Sequence, residues 1–417
     1  MKEKNIFNIM QMRFFIEVAK HQNISKAADN LFRTQSAITR GIRELEKHLN
    51  VQLFERHHQG VLLTAAGHYI LARVENGISY LQQITILLKE NHKEVNTHSS
   101  TEPFFLYNQQ RLTIFLTLCT AKSMRSTAQL LQITQPAVSA AIKTLEQSLG
   151  IELFERSVNG LKETQLCQLI KQQIQLCLNE FRPLQDELSS FKGQLQGSIH
   201  VGALPLIRSD VLPQVIGQVT VEHPDIHFVT YESAYEILST QLRVGDIDFI
   251  IGAIRPDQSI ADFEQHILFS EDMIIVMGKQ HPLTRQSLEH IKLNHLLQFP
   301  WILPRAYTPS REMIQKSFEQ LGSEAPLPTI ETGDHALIRG LLQTSNLLAI
   351  VSRSQMQHEL QYGHIVELPI KLPDTSREIG ISYRKHAILT SAAQIFLDQM
   401  LTFTEKYKYS HLPKDKV

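Results

Sequence analysis

The chain has 417 residues, of which 42% are hydrophobic, and this length and composition suit two to four domains with buried cores. Its 41 Lys and Arg residues balance 42 Asp and Glu residues, so the net charge of −1 excludes a chain that is basic throughout. Because the first residues lack the apolar core of a signal peptide and no apolar run approaches the roughly 18 residues of a membrane-spanning helix, we expect a cytoplasmic protein. The three cysteines, Cys119, Cys167 and Cys177, are too few and too irregularly spaced for a disulfide framework or a metal cage.

Residues 6–64 predict three short helices followed by a hairpin. An apolar-faced helix is expected over 9–21 and a second one over 25–32, in which Ser25 is a candidate N-cap. A third helix, over roughly 36–49, places apolar residues on one face at 3.6-residue spacing, namely Ile38, Ile42, Leu45 and Leu49. The stretch "VQLFERHHQGVLLT" then alternates around Gly60, as in a small β-wing. Two helices joined by a short turn and followed by a wing predict a winged helix-turn-helix, and residues 1–64 carry a local net charge of +4 from ten basic and six acidic residues.

Residues 105–164 repeat this pattern at an offset of 100 positions without a gap. Residues 25–56 and 125–156 are identical at 13 of 32 positions. In the first copy the identical residues are Ala28, Leu31, Thr34, Gln35, Ala37, Ile42, Leu45, Glu46, Leu49, Leu53, Phe54, Glu55 and Arg56. Because the pattern occurs twice and no more, we interpret it as a duplicated domain and not as a solenoid.

A long helical pattern follows each copy, over residues 65–91 and 165–191. The apolar stripe of the first is formed by Ile70, Val74, Ile78, Leu81, Ile84 and Leu88. The stripe of the second is formed by Leu166, Leu169, Ile170, Ile174, Leu178, Phe181, Leu184 and Leu188. Pro183 is expected to kink or break the second helix. Because such stripes are longer than a small domain can cover, we expect these helices to pair between the subunits of a homodimer or homotetramer. The polar residues 91–103 are expected to form a linker.

From Gly197 the pattern changes to apolar strand-like runs that alternate with amphipathic helices. The predicted strands lie in "SIHVGAL", "DIHFVTYES", "DIDFIIGAI", "DMIIVMGK", "PWILP", "LLAIVS" and "EIGISYRK". This alternation predicts α/β units around a largely parallel sheet. The length of the region, about 210 residues, suits two lobes. We expect the strand near residues 378–384 to return to the first lobe.

Residues 24–67, "ISKAADNLFRTQSAITRGIRELEKHLNVQLFERHHQGVLLTAAG", resemble the N-terminal pattern of LysR-type transcriptional regulators. The similar features are the Ala-Ala pair, the Gln-centred turn, Ile-x-x-Leu-Glu, Leu-Phe-x-Arg and Leu-Thr-x-x-Gly. Residues 202–219 and 242–256 look like the effector-binding domain of the same family. The second copy is a departure, because the family usually has one DNA-binding domain.

The resemblance implies a multi-domain fold with two winged helix-turn-helix domains, two linker helices and a two-lobed α/β effector domain that is similar to a periplasmic binding protein. The corresponding ranges are 6–64 and 105–164 for the winged domains, 65–91 and 165–191 for the linker helices, and 197–405 for the effector domain. It further implies double-stranded DNA, RNA polymerase and a small-molecule effector, such as an organic acid or a sugar derivative, as partners. It implies no cofactor and no metal.

The candidate DNA-binding residues follow from the geometry of a recognition helix, which enters the major groove by its N-terminal end and needs polar and basic side chains there. In the first copy they are Gln35, Ser36, Thr39, Arg40 and Arg43. Gln can pair with adenine and Arg with guanine, while hydroxyls contact bases or phosphates. For Arg40 and Arg43 the alternative is an ordinary solvated helix face. Arg56 is a candidate phosphate contact beside the wing, and its repetition in the second copy also fits a structural salt bridge with a glutamate.

The second copy keeps Gln135, Ser139 and Lys143, but Ala140 stands in place of Arg40. Residues 105–164 carry a local net charge of +2, from six basic and four acidic residues. Because each lost phosphate contact weakens DNA binding, we expect the first copy to supply most of the affinity. The second copy is then either a weaker reader of DNA or a dimerisation and spacing module.

The candidate effector-binding residues lie at the carboxyl ends of the predicted strands, where open α/β sheets bind ligands. They are Leu204, Pro205, Ser233, Arg255, Arg305, Ala306 and Thr332. Pro205 suits the first position of a helix whose free N–H groups would bind an anion. Arg255 or Arg305 would pair with a carboxylate or phosphate, although both also suit surface positions or caps of the lobe interface.

Two other classes of protein compete with a regulator. An enzyme is disfavoured because the sequence contains no Gly-x-Ser-x-Gly, no phosphate-binding glycine loop and no His-Glu-x-x-His. A solute-binding α/β protein, in which the helical repeats serve only in oligomerisation, is disfavoured by the two winged helices. The pair His57 and His58 falls on the predicted wing, where contact with phosphate or solvent is favoured over metal binding.

Overall fold

The computed structural model describes residues 8–58, 60–91, 103–157, 160–255 and 262–410. The chain divides into two compact units, Met1–Gly197 with Val244–Asp246, and Ser198–Arg243 with Ile247–Val417. Most of the predicted linker between the copies lies outside the described residues. In the described part, no helix is both long and apolar enough to cross a membrane.

The first unit is mainly helical and contains two small hairpins. Its helices are α1 (Ile9–His21), α2 (Ile24–Asn30), α3 (Gln35–Leu49), α4 (Ala65–Asn91), α5 (Gln109–Ala121), α6 (Met124–Leu131), α7 (Gln135–Leu149), α8 (Gln165–Phe181) and α9 (Leu184–Phe191). Its strands are β1 (Phe54–His57), β2 (Gly60–Leu63), β3 (Phe154–Ser157) and β4 (Gly160–Glu163), which form two antiparallel pairs. The second copy therefore repeats the element order of the first.

Side-chain caps fix the beginnings of the short helices. The predicted cap of α2 is wrong, because the Asn23 side chain, and not Ser25, accepts from the backbone N–H groups of Ser25 and Lys26 at 2.9 and 3.1 Å. Asn23 has the extended backbone that an N-cap needs, and its Oδ1 reaches both free donors of the first turn. Thr34 caps α3 and Thr134 caps α7 in the same way.

The wing of each copy is attached by an equivalent contact. The Glu46 carboxylate accepts from the backbone N–H of Leu53 at 2.8 Å, and Glu146 accepts from Leu153 at 2.9 Å. Gly60 has a positive φ of 143°, and a Cβ atom there would lie 2.4 Å from the Gln22 carbonyl oxygen. A larger residue would therefore push the wing away from the end of α1.

The long helices α4 and α8 pack against each other within one chain. All six predicted stripe residues of α4 are buried in a single apolar cluster that also contains Ile170, Ile174, Phe181, Leu184 and Leu188. The expectation that these stripes pair between subunits is therefore wrong for α4, because α8 and α9 of the same chain cover them. Pro183 separates α8 from α9, as predicted, whereas Leu169 is 38% exposed and lies outside the stripe.

The second unit is built on two five-stranded sheets. Its helices are α10 (Val211–Glu222), α11 (Tyr235–Val244), α12 (Leu293–Leu296), α13 (Pro309–Gln320), α14 (His335–Thr344), α15 (Gln357–Gln361) and α16 (Ser391–Ser410). Its strands are β5 (Gly197–Ala203), β6 (Ile226–Tyr231), β7 (Phe249–Ala253), β8 (Phe263–Glu271), β9 (Met273–Gly278), β10 (Trp301–Leu303), β11 (Pro328–Glu331), β12 (Leu348–Ser352), β13 (Ile365–Glu367) and β14 (Arg377–Arg384).

The strand orders are β6-β5-β7-β14-β8 and β11-β10-β12-β9-β13. The prediction of a largely parallel arrangement is wrong, because β14 runs antiparallel to both β7 and β8, and β9 runs antiparallel to both β12 and β13. The predicted return of the strand near 378–384 to the first sheet is confirmed by β14. The chain leaves the first sheet after β8, forms the second sheet, and returns to the first sheet as β14, which pairs with β8.

Candidate functional site

The N-terminal half of α3 presents a polar surface. Ile38, Ile42 and Leu45 are buried, and the opposite face exposes Gln35, Ser36, Arg40 and Arg43. These four residues line one open groove together with Thr39, Glu44 and Lys47. Thr39 is half-buried, and its hydroxyl donates to the Gln35 carbonyl at 2.9 Å. The structure thus brings together five of the six candidate DNA-binding residues of the first copy.

Acidic Glu44 lies inside this basic groove. It accepts from Arg40 Nε at 2.8 Å and from Gln11 Nε2 at 2.9 Å. The hydrogen bond and the charge of Glu44 raise the pKa of the Arg40 guanidinium, which stays charged. Arg40 therefore has to exchange Glu44 for a base or phosphate when it contacts DNA. Arg56, on β1, is exposed, and no ion pair with a glutamate forms among the described residues.

The corresponding face of α7 is less basic. Gln135, Ser139 and Lys143 are exposed, as is Ala140, while Val138 and Ile142 are buried. The backbone is the same as in α3, since both helices have 15 residues and a threonine cap. The two surfaces therefore differ in side chains and not in local fold.

The predicted effector residues are spread over loops of the second unit. Leu204 and Pro205 follow β5, Ser233 follows β6, and Thr332 follows β11, and all four are half-buried. Arg305 and Ala306 are exposed in the loop after β10. Pro205 stands at the first position of a helix, as expected, but this helix is a single 3₁₀ turn, Pro205–Ile207, and α10 begins only at Val211. The buried Asp210 lies between the 3₁₀ turn and α10 and precedes the first residue of α10.

Arg255 is held by its neighbours at the end of the first sheet. Its Nη1 donates to Glu236 at 2.9 Å, and its guanidinium lies 4.4 Å from the centre of the Tyr235 ring. These contacts match the surface alternative considered for this arginine, because the guanidinium already has a carboxylate partner.

A cluster of polar side chains that no sequence motif indicates, here called the Arg377 cluster, is formed by Arg377, Glu271, Ser310, Ser352 and Ser354. Arg377 begins β14 and faces Glu271 at the end of β8. Its guanidinium donates to the hydroxyls of Ser310 (2.7 Å) and Ser352, while the backbone N–H of Ser354 donates to Glu271. Burial lowers the pKa of Arg377 and raises the pKa of Glu271. The cluster joins both sheets. Its only indication in the local sequence is the arginine that precedes the predicted strand "EIGISYRK".

A second polar group, here called the His335 cluster, consists of His335, Asp334, Arg208 and Glu232. His335 begins α14, and both of its ring nitrogens are buried without a hydrogen-bond partner among the described residues. Burial lowers the pKa of His335 to about 4. Burial also lowers the pKa of Arg208, against the opposing charges of Glu232 and Asp334. The backbone links the two clusters, because the Ser354 hydroxyl donates to Leu206, two residues before Arg208.

Two of the three cysteines are close in space despite their separation in sequence. Ligand atoms of Cys119, Cys167 and Glu163 lie within 4.8 Å of one another. The hydrogen bond between the thiols and their burial raise the pKa of Cys119, which keeps its thiol protonated. The first copy has Ala19, Gly67 and Leu63 at the equivalent positions. The grouping arises because α5 packs on α8, which sequence spacing does not reveal.

The two parts of the chain match models of one bacterial family. The family "LysR substrate binding domain" matches residues 192–404. The family "Bacterial regulatory helix-turn-helix protein, lysR family" matches residues 9–68 and again residues 109–168. The chain belongs to the LysR family of transcriptional regulators. It is therefore a DNA-binding transcription regulator with a substrate-binding domain, and not an enzyme.

Relatives of this LysR-type regulator support the assignment over most of its length. It is 40% identical over 386 residues to the HTH-type transcriptional regulator GalR of Pseudomonas putida, which covers 93% of this chain and 94% of that protein. It is 28% identical over 277 residues to the HTH-type transcriptional regulator PcaQ of Agrobacterium fabrum, which covers 66% and 88%, respectively. The GalR match extends over most of both helix-turn-helix copies.

Solved structures give the same fold for the LysR-type regulator. A full-length OxyR variant from Pseudomonas aeruginosa matches with a TM-score of 0.51 and 25% identity, over 70% of this chain and 96% of that one. Full-length CbnR in complex with its target DNA matches with a TM-score of 0.52 and 18% identity, over 71% and 99%. At this identity the CbnR match establishes the fold alone.

Proposed function

We propose that the first copy binds double-stranded DNA through the exposed face of α3, and that Gln35, Ser36, Thr39, Arg40 and Arg43 contact the major groove. The observation that carries this proposal is the open groove in which four exposed polar side chains surround the first two turns of a capped helix. The N-terminal turns of a recognition helix are the part that reaches base edges. Arg56 on the wing contacts a phosphate, because it is exposed on β1 and has no acidic partner in the described part of the chain.

The second copy is proposed to be a winged helix-turn-helix domain that arose by duplication and contacts DNA through Gln135, Ser139 and Lys143. The support is its identical element order and the family match at the same offset of 100 residues. The domain ranges are those inferred above, with 6–64 and 105–164 as winged domains and 197–405 as a two-lobed effector domain. The regulator acts in the cytoplasm, where its DNA target and RNA polymerase lie, as a homodimer or homotetramer.

An electrophoretic mobility assay tests the ranking of the two copies. The probe is the DNA upstream of the coding sequence, titrated at several salt concentrations. We expect the double substitution Arg40→Ala and Arg43→Ala to weaken binding at least about tenfold, since each good base contact contributes roughly 1–3 kcal/mol, and to reduce the salt dependence, because two positive charges near the phosphates are removed. Lys143→Ala should have a smaller effect.

The matched control removes two positive charges outside the two helix-turn-helix copies, by Lys292→Ala and Lys316→Ala, both exposed in the second unit. Intact binding by the Arg40/Arg43 variant, together with loss of binding in Lys143→Ala, would reverse the proposed ranking.

For the effector, we propose an organic acid that binds at the Arg377 and His335 clusters. Two half-buried guanidinium groups, Arg208 and Arg377, lie where both sheets meet, and arginine is the side chain that best matches a carboxylate. Among the residues predicted from sequence, Leu204, Pro205 and Thr332 lie next to these clusters in the chain. Ser233, Arg255, Arg305 and Ala306 remain predictions for the outer part of the same site.

Thermal unfolding in the presence of small molecules tests this assignment. Mono- and dicarboxylic acids should raise the melting temperature more than glucose does, because the guanidinium groups of Arg208 and Arg377 match a carboxylate. Arg208→Gln should abolish the shift, while Arg243→Gln, which loses its pair with Asp262 outside the proposed site, should retain it. Stabilisation by neutral sugars, or by carboxylates in the Arg208→Gln variant as in the wild type, would contradict an acidic effector.

A further inference from the structure

The two copies share one interface within the first unit. Arg73 on α4 donates from Nη1 to Glu180 on α8 at 3.2 Å, and the Tyr69 hydroxyl donates to Glu187 on α9 at 3.1 Å. The side chains of Arg73, Glu180 and Glu187 are less than 10% exposed. Burial of a charged side chain is tolerated only when an oppositely charged partner lies in good geometry. The contacts across this interface are therefore specific.

The helices of this interface cross in antiparallel directions. The end of α3, at His48, accepts from Gln185 in α9, while Tyr69 near the start of α4 contacts Glu187 and Gly77 in the middle of α4 lies against Phe181. Residues in the first half of α4 therefore contact residues at and beyond the end of α8. Antiparallel packing of two equivalent helices relates them by an approximate twofold axis, which is the relation between the subunits of a dimeric DNA-binding protein.

The contacts of this interface require one helix from each copy. At the offset of 100 residues, Glu180 corresponds to Tyr80 and Phe181 corresponds to Leu81. If α4 paired with a second α4, Arg73 would face Tyr80 and would lose its carboxylate. If α8 paired with a second α8, Glu180 would face Gln173 and would lose its guanidinium. A buried charge without its partner is unfavourable, so the pairing of unlike copies is preferred over the pairing of like copies.

We propose that one chain is a complete two-site DNA reader, which binds an operator made of two half-sites with different sequences. The inference rests on the proposed DNA contacts of α3 and α7. A regulator with one winged domain per chain needs two identical chains for two half-sites and therefore favours a palindrome. Here both recognition helices are tied together by α4 and α8, and their side chains are not the same.

The side chains specify how the half-sites differ. Gln35 and Gln135 occupy equivalent positions, and glutamine pairs with adenine, so the half-sites agree at this base. At the next reading position Arg40 faces guanine, whereas Ala140 contacts the methyl group of thymine. One half-site is therefore expected to contain a guanine where the other contains a thymine.

Selection from random duplex DNA of about 40 base pairs, with the full-length chain, tests the proposal; this length exceeds two half-sites that lie one helical turn of about 10 base pairs apart. The wild type should enrich two unequal half-sites at fixed spacing. The variant Arg40→Ala/Arg43→Ala should lose base preference in one half-site, and Gln135→Ala/Lys143→Ala should lose it in the other. Ala140→Arg should convert the second half-site towards the guanine of the first. These residues are exposed, so the variants should fold.

Two results would overturn the inference and leave the proposed function intact. One is a palindrome in which both half-sites change with Arg40/Arg43 and neither changes with Gln135/Lys143, as expected if two chains each supply their first copy. The other is a single half-site without a partner. Enrichment of no motif by the wild type, even at low salt, would remove the proposed DNA contacts and the inference with them.

Discussion

The Arg73 guanidinium and the Glu180 carboxylate form an ion pair between the two halves of a duplicated structure, 3.2 Å apart and both more than nine-tenths buried. Glu187 lies 3.9 Å from the same guanidinium on its other side. In sequence these residues stand more than 100 positions apart, and neither belongs to a recognisable motif. Their contact defines how the long helix of the first copy packs on the helices of the second.

We expect Arg73→Ala to destabilise the chain by about 3–5 kcal/mol, because removal of one partner leaves a buried carboxylate without its counter-charge. Chemical denaturation of the full chain measures the effect. The control is Arg339→Ala, which removes an exposed pair with Glu359 of the same 3.2 Å length and should cost no more than about 1 kcal/mol. Equal losses for the two variants would show that the Arg73 contact is not buried in solution.

Gly77→Ala should also destabilise the interface, by about 1–3 kcal/mol, because a Cβ atom at Gly77 would lie 2.4 Å from Cε1 of the Phe181 ring. Gly217→Ala in α10 is the matched control, since a Cβ there meets no atom within 4 Å. Alanine is the better helix former by about 1 kcal/mol, so the control should be stabilised. The double variant Gly77→Ala/Phe181→Leu should recover part of the loss, and a stabilised Gly77→Ala would contradict the packing of α4 on α8.

The stability of the second unit should fall between pH 7 and pH 4 because of His335. Burial lowers the pKa of His335 from 6.5 to about 4, so the folded chain keeps this ring neutral while the unfolded chain binds a proton. Stability contributed by the neutral ring is present above pH 6.5 and decreases as the pH falls towards 4. The decrease is at most about 3 kcal/mol, at 1.36 kcal/mol per pKa unit.

Denaturation of the wild type and of His335→Gln at several pH values measures this contribution. The free energy of unfolding of the variant should vary less with pH over this range. The control, His290→Gln, changes an exposed histidine and should follow the wild type. A His335→Gln profile parallel to that of the wild type would show that the ring is solvated.

The three cysteines should react slowly with a thiol reagent in the native chain at pH 8. All three are buried, and burial raises the pKa of Cys177, while the hydrogen bond with Cys167 followed by burial raises the pKa of Cys119. The thiolate is the reactive form, so both accessibility and ionisation oppose the reaction. In denaturant three equivalents should react within minutes. Rapid native labelling, or a disulfide between Cys119 and Cys167 found by mass spectrometry, would contradict the free, buried thiols.

Local patterns predicted the elements that carry DNA-binding residues. The predicted helix over 36–49 is observed as α3 (Gln35–Leu49), and the alternation around Gly60 is observed as β1 and β2. Such elements are set by short-range rules, because a threonine cap and apolar residues at helical spacing act within a few turns. The missed strands were β8, β11 and β13, each at the edge of its sheet, whereas the fourth edge strand, β6, was predicted from its apolar run. An edge strand has one neighbour and more exposed residues, so its apolar pattern is weaker.

The sequence by itself determined that a helix-turn-helix pattern occurs twice, that an α/β region follows, and that the two recognition helices differ at Arg40 and Ala140. These properties depend on residue spacing and residue type, which determine local backbone geometry. The tertiary structure alone decided which surfaces meet. It placed α8 on the stripe of α4, Arg377 beside Glu271 and Cys119 beside Cys167, because an apolar stripe or a buried charge specifies the chemistry of its partner but not the partner's position in the chain.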